Sequence, residues 1–347
     1  MEDEESAQYA LIVRNVFCYD GRKSLSIHSV IVQSKPLKTF LGKVFHGFPG
    51  VTTSLERLEF RTPFRPLVYR WENFMKAREE EALDSTTKEY VDLFYNIFEE
   101  ELSDTLERKK DLIQNSVITY SLLWTLFEPN EMVISNSDFP RGYLFPKAST
   151  KSPTGDWFLT CKYIEFAGKK FDYSEEVFLV DAFVGTKPIM SLPVYPLKYH
   201  PEKDAVCKTL ISQGKRWEEH KGYHYMQYDG LALGFSDYGL TKRLHVKSRI
   251  IIDAEAFSIF HSDVPIHVAD KDIAQELTDK QRMITSNMVY GYSLIDKEWL
   301  KFYLRNVSGI EWNSHAFESL VLPREQQDLK GSAFGSCQRP VQTAGQL

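Results

Sequence analysis

The sequence predicts an α+β fold, and three observations carry that reading. Aromatic residues make up 14% of the chain, with 23 Phe, 18 Tyr and 6 Trp, a composition that suits strands and large buried side chains. Between residues 132 and 252, short aromatic and β-branched runs alternate with turn signals such as Pro153-Thr154-Gly155-Asp156, Ala167-Gly168-Lys169 and Asp229-Gly230. That texture belongs to an antiparallel barrel or sandwich. Upstream, residues 86–106 carry an apolar stripe at helical spacing. The expected organisation is an N-terminal hairpin and helices over 1–114, a β-rich accessory unit over 115–268, a short α/β segment over 269–330 and a disordered tail over 331–347.

Taken in order, residues 9–17 and 27–32 read as a hairpin around Asp20-Gly21. Ser34 is placed to cap a helix over 36–45, with Gly47 beyond its end. The stretch 52–66 reads as extended and 71–82 as helical. Thr86 and Glu89 form a capping-box pair ahead of Val91, Phe94, Tyr95, Phe98, Leu102 and Leu106. Acidic Glu99-Glu100-Glu101 precedes basic Arg108-Lys109-Lys110, the order a helix dipole favours. Residues 120–127 predict a second short helix stopped by Pro129. Pro188, Pro193 and Pro196 belong on edges or loops, since proline donates nothing to a ladder. After Asp270 come a short polar helix with Thr278 and Gln281 at its cap, a strand over 299–307, and a helix ending before Pro323.

Composition excludes several classes. The chain has 347 residues, with 42 Lys+Arg against 48 Asp+Glu, a net charge of −6, so it lacks the basic excess of a non-specific nucleic-acid binder. No apolar run reaches the length of a spanning helix. The acidic start Met1-Glu2-Asp3-Glu4-Glu5 fits neither a secretory signal nor a transit peptide. Cys18, Cys161, Cys207 and Cys337 form no Cys-x-x-Cys pair and read as reduced thiols. An intracellular address, cytoplasmic or nuclear, is the expectation.

Local motifs for chemistry are thin. The loop His46-Gly47-Phe48-Pro49-Gly50 imitates a phosphate loop, but no Gly-Lys-Ser/Thr follows it. His220 and His224 have the i, i+4 spacing of a zinc pair, yet Gly222 lies between them and Tyr223, Tyr225 and Tyr228 point to a strand. No Gly-x-Ser-x-Gly elbow is present. No catalytic residue, cofactor site or metal site is therefore assigned.

Several separated stretches carry a wider likeness. Leu123-Trp124-Thr125-Leu126-Phe127-Glu128-Pro129, Tyr195-Pro196-Leu197-Lys198-Tyr199-His200-Pro201 and Arg249-Ile250-Ile251-Ile252-Asp253 come first. Val289-Tyr290-Gly291-Tyr292-Ser293-Leu294-Ile295-Asp296-Lys297-Glu298-Trp299, Ile310-Glu311-Trp312-Asn313 and Ala316-Phe317-Glu318-Ser319-Leu320-Val321-Leu322-Pro323 follow in the same order. Together, over about residues 115–330, they resemble the uncharacterised domain and lead-in segment that precede the nucleotide-binding core of fungal AAA-type ATPases. The family continues into a Walker A loop; this chain instead runs through Leu329-Lys330-Gly331-Ser332, so no catalytic residue of the family has a counterpart in it.

The resemblance implies a non-catalytic accessory region that binds a protein partner or remodelling substrate, with no nucleic acid and no membrane span. The alternative is a fragment of an ATP-hydrolysing AAA protein whose core lies outside this chain. A minor one is a hydrolase using His200 or His224. The family's lead-in packs on the nucleotide core, so Trp299, Phe302, Trp312, Phe317, Leu320 and Leu322 form the candidate interaction surface, with self-association as its expected consequence.

Overall fold

In a computed structural model, the described residues are 9–17, 25–80, 83–146, 150–151, 155–166, 168–235, 241–261, 273 and 276–312. The fold is α+β and its sheets are antiparallel. Strands β1 (Leu11–Phe17) and β2 (Leu25–Val32) form the expected hairpin, and β3 (Leu58–Arg61) completes their sheet. Helix α1 (Lys35–Val44) starts at Ser34, whose hydroxyl accepts the Leu37 N–H at 3.4 Å. The segment expected to stay extended to 66 turns helical sooner, because α2 (Arg65–Glu80) opens with proline in its first turn.

Helix α3 (Ser85–Gln114) is the long amphipathic helix, burying Val91, Phe94, Phe98 and Leu102. Its cap corrects the sequence reading. Asp84, not Thr86, is the N-cap, and its carboxylate accepts the Thr87 N–H at 3.0 Å. Asp and Thr are both good caps, and here Thr87 is drawn into the buried face, which fixes the register.

Strand β4 (Val117–Thr119) and a 3-10 turn, Tyr120–Thr125, lead into β5 (Glu131–Ser135), β6 (Gly142–Phe145), β7 (Thr150–Lys151), β8 (Trp157–Phe166) and β9 (Phe171–Val180). β10 (Thr186–Pro188) pairs with β4, and β11 (Val194–Pro196) with β5. Strands β11, β5, β6, β8, β7 and β9 make one sheet. Pro188 and Pro196 lie on edge strands, as proline requires. This sheet, α1–α3 and the N-terminal hairpin share one core running from Val30 to Leu197, so the expected boundary at 114/115 falls inside a continuous core.

Helix α4 (Lys203–Glu219), 17 residues long, interrupts what the sequence suggested was an all-β unit. It buries only Leu210, Gly214 and Trp217, too narrow a stripe to stand out among polar neighbours. Beyond it, β12 (His224–Phe235) and β13 (Thr241–Ile252) pair along their whole length. Helix α5 (Ala254–Phe260) and the single turn α6 (Asp279–Arg282), with its Thr278/Gln281 capping box, precede β14 (Met288–Ser293), β15 (Glu298–Tyr303) and β16 (Val307–Ser308). The order β13-β14-β15-β12-β16, with β12 also bonded to β13, closes this sheet on itself around a second core. Strands from both sides of the expected 268/269 boundary thus belong to one sheet.

The two units are stitched together by backbone. Ile164 on β8 donates to the Ile284 carbonyl and accepts from the Ser286 N–H, both at 2.7 Å. Helix α4 adds three ties: Trp217 Nε1 donates to the Met288 carbonyl at 2.9 Å, Arg216 to the Val307 carbonyl at 2.6 Å, and Glu218 accepts from Arg282 at 3.0 Å. Close approach requires Gly142 and Gly214, where a Cβ would collide with the Met283 and Arg282 carbonyl oxygens. Among the described residues no helix is long and apolar enough to cross a membrane.

Candidate functional site: a cationic cleft between the two units

Of the described members of the expected interaction surface, Phe302 is buried, Trp299 half-buried and Trp312 exposed. On β15, alternation sends Leu300 and Phe302 into the closed sheet, with Leu304 buried just beyond the strand, and turns Trp299, Lys301 and Tyr303 outward. Phe302 is fully buried, packed edge-on to Tyr228 at 4.8 Å between centroids, so it cannot contribute to a surface. Trp299 is half-buried and stacks on Phe260 at 5.5 Å. Trp312, 67% exposed, has Arg249 over its ring at 4.9 Å. Phe317, Leu320 and Leu322 lie outside the described residues, as do the expected final helix and the tail.

What the fold builds instead is an open cleft of about 540 Å³ where the two units meet. One wall comes from the first unit: the 136–141 loop, Tyr143 on β6, Tyr163 on β8, and Glu176 and Phe178 on β9. The other is the outer face of the closed sheet, with Leu231, Leu233 and Phe235 at alternate positions of β12, Arg243 on β13, and Lys301 and Tyr303 on β15. The loop is pinned across the junction by Phe139. Its ring stacks on Tyr303 at 4.3 Å, the Arg305 guanidinium lies 3.7 Å from the ring centroid, and its carbonyl accepts from Asn287 Nδ2 at 3.1 Å.

Arg141 lies at the base of the first wall. Its guanidinium donates to the Tyr143 hydroxyl at 2.6 Å and to the Glu176 carboxylate, and Tyr143 donates to the same carboxylate at 2.8 Å. The cation also faces the rings of Tyr163 at 4.0 Å and Tyr143 at 4.6 Å. Its side chain is only 12% exposed, against 42% for Glu176, and its buried Nε has no hydrogen-bond partner among the described residues. Burial holds the Tyr143 phenol above its usual range, with Arg141 opposing.

Lys301 faces the cleft from the other wall. Its ammonium lies 4.6 Å from the Tyr290 ring centroid, and no described residue gives it an ion pair or hydrogen bond. Burial pulls its pKa below the ordinary lysine value, and the nearby Glu165 offsets only part of that. Glu165 is itself buried and held above the usual carboxylate range by desolvation; the Tyr290 hydroxyl donates to it at 3.4 Å. A half-buried, desolvated cation with no carboxylate in contact is a costly arrangement.

Residues with catalytic potential elsewhere are occupied structurally. Burial pushes the Cys161 thiol up to about 12, with Glu176 adding to it. His200 Nδ1 accepts the Glu202 N–H at 3.0 Å. His220 and His224 do not form a strand pair: His220 caps the end of α4 and His224 opens β12, and they bond the Arg216 and Lys221 carbonyls at 2.8 Å. Among the described residues no group of three or more His, Cys, Asp or Glu could hold a metal.

No local motif pointed to the cleft, because its charged groups are far apart in sequence: Arg141, Glu176, Arg243 and Lys301. The available signal was the alternation itself. In Trp299-Leu300-Lys301-Phe302-Tyr303-Leu304 the even positions are wholly apolar, which assigns Phe302 to the core and Lys301 to the opposite face. Neither a curated protein nor a solved structure matches the chain. Residues 108–201, which supply the first wall of the cleft, match the model of a domain of unknown function (DUF7025).

Proposed function

We propose that this chain is a non-catalytic recognition region, of the kind that precedes the nucleotide core in fungal AAA-type ATPases, and that it binds a protein partner or remodelling substrate in the cleft between its two β units. The observation that supports this most is the cleft itself: a preformed, open groove whose rim carries half-buried apolar side chains and a lysine with no anionic partner. Such concave sites, apolar with a few convergent polar groups, are the usual shape of a binding site. The roles of Cys161, His200, His220 and His224 in local packing favour recognition over chemistry.

A randomised peptide library selected on the full chain tests this. Enriched peptides should lose binding to Leu233→Trp, which fills the cleft, and to Arg243→Glu, a change on an exposed side chain at its rim. Selection of peptides indifferent to both changes, or of none, would contradict the reading. Calorimetry with Mg-ATP should show no saturable heat, and a micromolar Kd would count against a recognition role.

A further inference from the structure

The charge inventory of the cleft narrows what it can hold. Three cations line it, Arg141, Arg243 and Lys301, against two carboxylates, Asp138 and Glu176, leaving one net positive charge. Arg141 is already committed to Glu176 and Tyr143, so Lys301 and the exposed Arg243 are the cations open to a ligand. A phosphate carrying close to two negative charges would meet Glu176 and Asp138 as well and find too little compensation. One carboxylate balances the site. Phe139, Tyr303, Leu231 and Leu233 supply apolar wall on either side of that charge.

The strand beside the cleft adds a backbone element. Among the described residues β9 pairs with β8 and with no other strand, while its Glu176 and Phe178 face the cleft. An exposed edge next to side-chain pockets is the arrangement by which an extended peptide adds itself as a strand.

We infer that the cleft binds an extended peptide segment bearing a single acidic side chain flanked by apolar ones, with its carboxylate on Lys301, Arg243 steering it at the rim, and its apolar residues on Phe139, Tyr303 and Leu233. This rests on the recognition reading above and specifies the partner's chemistry. The charged contact supplies specificity: an amide in place of the carboxylate leaves the half-buried Lys301 ammonium without a carboxylate in contact, as it is in the unliganded protein.

The test uses the full chain and the selected peptides themselves. Their sequences should share one Asp or Glu between apolar residues. Replacing that residue by Asn or Gln should weaken binding about tenfold or more, and Lys301→Met should abolish the difference between acid and amide forms. Arg243→Ala should mainly slow association and reduce its salt dependence. Circular dichroism and unchanged melting of both variants separate loss of contact from loss of fold. Peptides that depend on Leu233→Trp but show no acidic requirement would overturn the carboxylate inference and leave the cleft as the binding site. Peptides indifferent to the cleft would overturn both. Saturable binding of phenylacetate with no peptide selected, or selection of phosphorylated over acidic peptides, would overturn the assignment of an acidic peptide.

Discussion

Lys198 and Lys301 each have a desolvated glutamate nearby, half-buried Glu131 and buried Glu165, and they are finished differently. The Lys198 ammonium meets both oxygens of Glu131, at 2.8 and 3.0 Å. Burial works against its charge, but Glu131, Tyr199 and Glu128 together outweigh that and leave Lys198 above the ordinary lysine range. Lys301 has Glu165 in its neighbourhood but no carboxylate in contact, and burial wins. The first lysine, itself exposed, follows Leu197 at the margin of the core that runs from Val30 to Leu197. The second lies on the outer face of the closed sheet, where that sheet meets the cleft. The difference teaches how to separate a structural charge from one held for a ligand: contact, not proximity, is the criterion.

The largest effect expected is in the second core. Phe302→Ala should cost about 3–5 kcal/mol in denaturant unfolding, the range for a fully buried phenylalanine. If the substitution were nearly neutral, the outward set Trp299, Lys301 and Tyr303 would be wrongly assigned along with the cleft wall they build. Next comes the junction. Gly214→Ala should destabilise by about 1–3 kcal/mol despite the better helix propensity of alanine, because its Cβ would drive α4 off the Arg282 carbonyl. A stabilised variant would show that α4 does not clamp the two units.

Glu165 sharpens the comparison through pH. Desolvation raises its pKa above the ordinary glutamate range, with Lys301 only partly opposing. The folded chain therefore keeps a proton that the unfolded chain releases, so this group's stabilising contribution is full below about pH 4.5 and is lost as pH rises through the raised value. Glu165→Gln keeps an acceptor for Tyr290 and should flatten that slope, so the variant gains on the parent as pH rises. Denaturation midpoints between pH 4 and 8 check it; an unchanged slope would assign the pH dependence to another group. Smallest is Trp312→Ala. An exposed ring whose recorded contacts are Arg249 and Tyr225 should change stability by no more than about 0.5 kcal/mol.

Where the fold was legible, a local rule and a tertiary demand agreed. The hairpin, the Ser34 cap, the Thr278 capping box and the apolar stripe of α3 are cases where propensity and packing point the same way. Helix α4 was illegible because most of its surface is polar and its few buried residues serve a distant partner, the 282–288 segment. The pairing across residues 268/269 was hidden for a related reason: β12 and β13 look complete as a hairpin, and only the structure shows that β14 and β15 close their sheet. As for the site, aromatic content in the C-terminal third drew attention to bulk. Lys301, the residue that matters most, is one cation inside an apolar strand, and it carries no motif.

The central claim, that Lys301 is held for a ligand and Lys198 for the fold, is tested most directly by a pair of isosteric neutral substitutions measured side by side in urea. Lys198→Met leaves half-buried Glu131 beside a methyl group and should cost about 1–3 kcal/mol, less than a fully buried pair because Lys198 is 38% exposed. Lys301→Met should lie within about 0.5 kcal/mol of the parent or above it, since it removes a desolvated charge that no contact repays. Equal losses at the two positions would contradict the account, and would make Lys301 a structural ion-pair partner of Glu165.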